Sequence, residues 1–311
     1  MKSKIQTLKS QVQFGVSPAM ATPLLADGVT VNTAVIPQLV QFLIDAGVNG
    51  LFVAGTTGEG ILLDAAERMR LAEAAMTAIN ACTEQGRSGR IPLILHIGTN
   101  RTDTAVALAQ HAAELGVDAI AAVTPYYYGM HDAALVAYYR TISEAAPATP
   151  LLLYDIPHMA VNGINPALIP ALIQEVPTLA GIKSSLNNAQ LIRQQIALLA
   201  DTHIVLVGNE AIALGSLAMG AHGLISGLST AVPEPFVALM EAFGTGNLAE
   251  AQKWHRVINQ LLTKIPAGAR IGAIKSILAE RGIAVGTAVP PRPMPTKPVW
   301  PDMETILTSI S

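Results

Sequence analysis

Eight short apolar runs recur along the chain, each followed by a longer stretch with helical spacing. They lie at GVSPAM (15–20), GLFVAG (50–55), PLILHIG (92–98), AIAAVT (119–124), LLLYDI (151–156), LAGIKS (179–184), IVLVG (204–208) and GLISG (223–227). Unbroken apolar character, in place of alternation, marks strands covered on both faces, as in parallel sheets. Between them, segments such as AAERMRLAEAAMTAINA and TDTAVALAQHAAELG carry apolar residues at helical intervals. Three helix-to-strand joins, AGVNGLFV, LGVDAIAA and MGAHGLIS, share a glycine that ends the helix before the strand begins. Their recurrence points to a repeated βα unit.

Eight buried strands alternating with helices fit a closed barrel or a long open sheet. An open dinucleotide-binding sheet usually follows its first strand with a glycine-rich phosphate loop; here MATPLLADG follows. The expected fold is therefore α/β, a (β/α)8 TIM barrel over about 14–243 with additional C-terminal helices over about 245–311. Two or three helices are expected between 245 and 280, and then a proline-rich tail, VPPRPMPTKP, running extended over the surface. No linker-like tract interrupts the chain before residue 285, so 1–311 is expected to be a single domain.

Charge and cysteine content narrow the function classes. A net charge of −3 gives no reason to expect nucleic acid or an anionic membrane as partner. The lone Cys82 has no internal disulfide partner, which fits a reducing compartment. It sits at the end of an amphipathic helix, where a structural role is expected. MKSKIQTLKSQVQ lacks the apolar region of a signal peptide. The uncharged stretch 211–232 is long enough for a membrane span, but its glycines and His222 favour a core helix followed by a buried strand. The expected location is the cytoplasm.

In a barrel of this kind the active site lies at the C-terminal ends of the strands. Those ends carry Gly55-Thr56-Thr57-Gly58-Glu59, Thr124-Pro125-Tyr126-Tyr127, Tyr154-Asp155 and Lys183-Ser184-Ser185. Lys183 is the only lysine between Lys9 and Lys253, and it directly follows the apolar run LAGI. Desolvation there lowers the amine's pKa, and a neutral amine can attack a carbonyl to form a Schiff base. The competing reading is a structural lysine, paired with Asp155 or Glu59 or snorkelling to solvent. Tyr154 is a candidate proton shuttle, or else a packed rim tyrosine. Thr56 and Thr57 offer hydroxyls and backbone N–H groups to a carboxylate, or simply form a turn. The histidines show no metal-binding spacing. His96 and His158 lie near strand ends and leave room for a metal-dependent aldolase, but no metal is expected. GNEA (208–211) opens a helix, where an anion is a possible guest.

With these residues assembled, the chain resembles the dihydrodipicolinate synthase/N-acetylneuraminate lyase family. The resemblance runs from about Phe14 to the proline-rich tail and rests on GTTGE at 55–59, TPYY at 124–127, YDIP at 154–157, GIK at 181–183 and GAHGLIS at 220–226. It implies a pyruvate-dependent class I aldolase with no cofactor beyond the covalent imine between substrate and Lys183. It implies Tyr154 as proton carrier, with Thr56 and Tyr127 completing a hydroxyl relay. In the synthase branch the counterpart of Tyr127 reaches across a subunit interface, which implies a homodimer or homotetramer. The hydroxyl and N–H of Thr57 and the N–H of Thr56 would hold the pyruvyl carboxylate, with the carbonyl of Ile225 near the imine.

Two departures bear on the substrate. Where synthases usually carry an arginine two residues after the proline, this chain has Met159, and a thioether cannot replace a bidentate guanidinium. Lys183 is followed by Ser184-Ser185 rather than by the commoner Asp-Ser-Ser. The expected reaction is cleavage or formation of a 2-keto-3-deoxy sugar acid, or a related 2-oxo acid, from pyruvate and an aldehyde. The first alternative is 4-hydroxy-tetrahydrodipicolinate synthase acting on aspartate semialdehyde, with His158 in place of the missing arginine. The second is a non-catalytic barrel that binds small oxo acids.

Overall fold

The computed structural model describes residues 1–85 and 90–310. Eight strands form one all-parallel sheet: β1 (Gly15–Pro18), β2 (Leu51–Val53), β3 (Leu93–His96), β4 (Ala119–Val123), β5 (Leu151–Asp155), β6 (Leu179–Ser184), β7 (Ile204–Val207) and β8 (Gly223–Ser226). Each lies within one of the eight apolar runs. Neighbours pair in the order β1-β8-β7-β6-β5-β4-β3-β2. A parallel bridge between Ala19 and Phe52 brings the two ends together and closes the barrel. The helices are α1 (Lys2–Val12), α2 (Ile36–Asp45), α3 (Ala65–Glu84), α4 (Thr102–Leu115), α5 (Asp132–Ala145), α6 (Pro157–Ala160), α7 (Ile169–Glu175), α8 (Ala189–Leu199), α9 (Ala213–Ala218), α10 (Glu234–Gly244), α11 (Leu248–Leu262), α12 (Arg270–Glu280) and α13 (Trp300–Thr308). The glycines of the three repeated joins, Gly47, Gly116 and Gly220, all stand at positive φ, as the pattern predicts. No helix among the described residues is long and apolar enough to cross a membrane, and the stretch 211–232 forms α9 and β8.

Apolar residues segregate into two cores. The larger lies between sheet and helices, and the smaller fills the barrel with Phe52, Ile94, Ala121, Leu152, Leu206 and Ile225. Leu8 and Val12 of α1 join the inner core. Together with the bond from Lys9 Nζ to the Ala200 carbonyl, this lays α1 across the N-terminal end of the barrel as a plug. The sequence reading assigned no element there.

The proline-rich segment 289–298 keeps to the surface as expected, with only Val289 buried and its other residues half-buried or exposed. The residues between α12 and α13 lack regular structure, and Val285 and Val289, just before the prolines, and Val299, after Pro298, are buried. Leu24 N–H donates to the Val285 carbonyl, and the fully buried Met303 anchors α13. Proline removes donors and keeps the segment out of regular structure, while the buried valines at its two ends hold it down.

One irregularity decides what the barrel's mouth contains. β5 and β6 pair Leu151 with Leu179 and then Leu152 with Gly181, so β6 carries one extra residue at Ala180. Ala180 belongs to the inner core and Ile182 to the outer one, although two residues apart on a regular strand share a face. The bulge resets the alternation, and Lys183 consequently points inward beside Tyr154. Only glycine fits at 181, because a Cβ there would stand 1.9 Å from the Ile204 carbonyl oxygen. Gly181→Ala is expected to cost about 1–3 kcal/mol through the forced backbone shift. Urea unfolding measures this, and a change below about 0.5 kcal/mol would show that the strand absorbs the methyl freely.

Candidate active site

The mouth of the barrel opens onto a cavity of about 640 Å³, lined by Thr56, Thr57, Tyr154, Lys183 and Ile225 among others. Lys183 rises from the end of β6 and is 3% exposed. Its Nζ lies 3.8 Å from the centre of the Phe52 ring and 4.0 Å from that of Tyr154. Burial pulls its pKa down to about 7, with the charge of Glu210 opposing the shift. Both structural pairings proposed for this lysine are absent. Asp155 accepts from Ile164 N–H at 3.1 Å and from Gln195 Nε2 at 2.6 Å, and burial raises its pKa to about 6. Glu59 forms an ion pair with Lys275 at 2.8 Å. No carboxylate pairs with Lys183 among the described residues, so loss of its proton leaves no uncompensated charge behind.

Tyr154, at the end of β5, places its hydroxyl 2.9 Å from Thr56 Oγ1. Burial raises the phenol's pKa, and hydrogen bonds with Thr56 and Ser185 partly offset this. A protonated phenol linked to a hydroxyl is arranged to pass a proton between the cavity and the loop after β2. That loop turns tightly: Glu59 N–H donates to the Thr56 carbonyl, and Gly60 N–H to that of Gly55. A Cβ at Gly60 would lie 1.9 Å from the Ala54 oxygen, which accounts for a glycine after GTTGE.

The other sequence-derived residues divide. Thr57 and Ile225 are buried and line the cavity, while His158 and Met159 line it from α6. Tyr127 stands apart: it is 77% exposed at positive φ, and its ring packs edge-on against Tyr128. Within one chain it does not meet Thr56. Tyr126 instead lines an adjoining chamber of about 290 Å³. His96 has its Nδ1 2.9 Å from the Ala54 carbonyl, and its Nε2 accepts from Val123 N–H. Burial and the neighbouring Arg68 push its pKa well down. Among the described residues, no cluster of three or more His, Cys, Asp or Glu side chains is placed to hold a metal ion. GNEA opens a single 3-10 turn, and its own Glu210 supplies the negative charge there. Glu210 accepts from Ser226 Oγ, Leu228 N–H and Arg270. An anion site at that turn is thereby corrected.

Sequence reasoning missed Phe52, Glu210, Arg270 and Arg292. Phe52 lay hidden inside a strand run, and Arg270 and Arg292 come from the C-terminal segments, far from any strand end. Glu59, read as a candidate partner for Lys183, turns out to tie the loop to the tail. Besides meeting Lys275, it accepts from Val289 N–H at 2.8 Å. Both charged side chains of the pair are fully buried. Glu59→Gln is expected to cost about 3–5 kcal/mol by stranding the Lys275 ammonium, whereas combining Glu59→Leu with Lys275→Met should recover most of it. Denaturant melts of the single and double variants test this; equal destabilisation of both would refute the electrostatic cause.

Comparison with known proteins gives this geometry a context. The model of the dihydrodipicolinate synthetase family matches residues 13–309. A 4-hydroxy-tetrahydrodipicolinate synthase of Salinibacter ruber is 36% identical over 241 residues, covering 78% of this chain and 76% of that protein. A sialic acid aldolase of Ruminococcus gnavus, solved as a catalytic lysine mutant, superposes with a TM-score of 0.87 at 27% identity, covering 97% and 96% of the two chains. An E. coli K12 prophage protein of the dihydrodipicolinic acid synthase family, solved in complex with pyruvate, gives 0.84 at 26% identity, covering 95% and 98%. With the family match extending over all but the two ends, the chain belongs to the dihydrodipicolinate synthetase family of pyruvate-dependent class I aldolases and is a lyase.

Proposed function

We propose that Lys183 forms a Schiff base with pyruvate, and that the enzyme makes or breaks the carbon–carbon bond between pyruvate and an aldehyde. The observation that carries this is the buried amine at the cavity wall, with its pKa lowered to about 7 and no carboxylate partner among the described residues. In the cleavage direction the amine attacks the C2 carbonyl of a 2-oxo acid, and loss of water gives a protonated imine. Removal of the proton from the C4 hydroxyl then breaks the C3–C4 bond. The electron pair moves into the imine as an enamine, and the aldehyde leaves. Protonation at C3 and hydrolysis release pyruvate and restore the amine.

Tyr154 is the proton carrier, and Thr56, 2.9 Å away, is the next hydroxyl in the relay. Thr57 and the N–H groups of the GTTGE turn hold the pyruvyl carboxylate, with the Ile225 carbonyl near the imine. The exposed Tyr127 fits a relay completed across a subunit interface, so a homodimer or homotetramer belongs to this reading. So do a cytoplasmic location and the absence of any cofactor besides the imine.

For the aldehyde, the leading reading is a 2-keto-3-deoxy sugar acid or related 2-oxo acid as the cleaved substrate, because Met159 at the cavity wall stands where synthases usually carry the arginine for the carboxylate of aspartate semialdehyde. Similarity to a 4-hydroxy-tetrahydrodipicolinate synthase at 36% identity favours condensation with aspartate semialdehyde as the second reading. Coupled assays with the two substrate classes separate them.

Incubation with pyruvate and borohydride, followed by peptide mapping, should yield one reduced pyruvyl adduct, on Lys183, and none in Lys183→Arg. An adduct elsewhere, or none from folded enzyme, would sink the imine reading. Tyr154→Phe should keep the fold but lower kcat by about 10²-fold or more; wild-type turnover in that variant would remove Tyr154 from the relay.

A further inference from the structure

The cavity holding Lys183 and the adjoining chamber share a seam formed by Thr56, Tyr154, Ile156, Met159 and Arg292. Among the described residues Arg292 is the only guanidinium at that seam, and it comes from the proline-rich tail. Among the described arginines, Arg193, Arg256 and Arg292 have no hydrogen-bond acceptor for their side chains, and only Arg292 lines the cavity. The other arginine in the cavity wall, Arg270, is already neutralised by Glu210 at 2.5 Å. Arg292 is half-buried, and its cation adds a little to the lowering of the Lys275 pKa that burial causes and Glu59 opposes. A partly desolvated guanidinium without an acceptor is a site for an anion that the chain itself does not supply.

Its backbone is held in place from both sides. Arg292 N–H donates to the Val289 carbonyl, and Val289 N–H in turn donates to the buried Glu59. On the other side Pro293 presses against α12, where a Cβ on Gly272 would stand 2.2 Å from the Pro293 oxygen. A tail clamped this closely presents its arginine at a fixed position, and such fixing lowers the entropic cost of binding.

We propose that Arg292 binds the anionic group of the aldehyde partner, so that the second substrate is an aldehyde bearing a carboxylate or phosphate remote from its carbonyl. This rests on the imine reading, which assigns the pyruvyl carboxylate to the GTTGE turn and leaves Arg292 free for a second anion. Met159 at the same seam contributes contact but no charge, so selectivity for the anion falls to Arg292.

The test separates the two readings by blocking the first half of the site. Wild-type enzyme is treated with pyruvate and borohydride, and mass spectrometry establishes whether the adduct has formed. The product is then titrated calorimetrically with 4-hydroxybutyrate, with glycerol 3-phosphate and with the uncharged 1,4-butanediol. If no adduct forms, the imine reading fails, and the same titrations on untreated enzyme still test Arg292.

The carboxylate or the phosphate should bind more tightly than the diol, and whichever does so identifies the anion. Arg292→Gln should lose on the order of 10- to 100-fold in that affinity, with Arg292→Lys in between. Because the guanidinium has no hydrogen-bonded partner among the described residues, both variants should fold, and circular dichroism checks this. Equal affinity for anion and diol, or an anion affinity unchanged in Arg292→Gln, would overturn the proposal. So would a rise in the pyruvate concentration needed for trapping without loss of second-anion binding, because Arg292 would then serve the pyruvyl group.

Discussion

A lysine amine stays protonated in neutral water, and it becomes a nucleophile only where water is withdrawn from it without a carboxylate taking water's place. In this barrel the condition is met through backbone register. The extra residue at Ala180 resets the alternation along β6, and the lack of a side chain at Gly181 lets β7 approach. Lys183 therefore enters the barrel above the rings of Phe52 and Tyr154, instead of pointing at the outer helices as Ile182 does. The ring faces cradle the amine sterically and favour its charged form, while burial favours the neutral one and prevails, leaving the pKa near 7.

Lys275 shows the opposite outcome from equal burial. Its ammonium meets Glu59 and the Thr287 carbonyl, each at 2.8 Å, and it serves as a fastener. One buried lysine without a partner faces the cavity, and one with a partner joins the GTTGE turn to the tail. Since the same turn carries Thr56 and Thr57, and the same tail carries Arg292, this pair holds two walls of the cavity in one frame. The C-terminal extension is thereby part of the site's construction, and it also supplies Arg292 and, from α12, Arg270 to the lining.

Much of this was legible in the sequence because parallel barrels write themselves as buried runs. All eight strands fall inside the predicted segments, and Lys183 and Tyr154 stand where the strand-end rule places them. Continuous runs, however, conceal which face each residue takes. LAGIKS contains no sign that Ala180 and Lys183 both point inward, since a bulge appears only when β6 is paired with β5. Nor does Phe52, in the middle of LFV, announce that it lies beneath an amine. The tail's surface course was legible in its prolines, but nothing in VPPRPMPTKP shows that Arg292 lines the cavity. Tyr127 illustrates a different limit: its exposure within one chain is compatible with a role that only a second chain completes.

Titration of the Lys183 amine itself addresses the central claim most directly. Enzyme carrying lysine labelled with carbon-13 at the ε position, with the signal assigned by its loss in Lys183→Arg, is followed by NMR from about pH 5 to pH 11. A midpoint near 7 for Lys183 is the expected result. A midpoint near the ordinary lysine value of about 10.5 would contradict it, and would show that the bulge delivers a lysine to the cavity without making it a nucleophile.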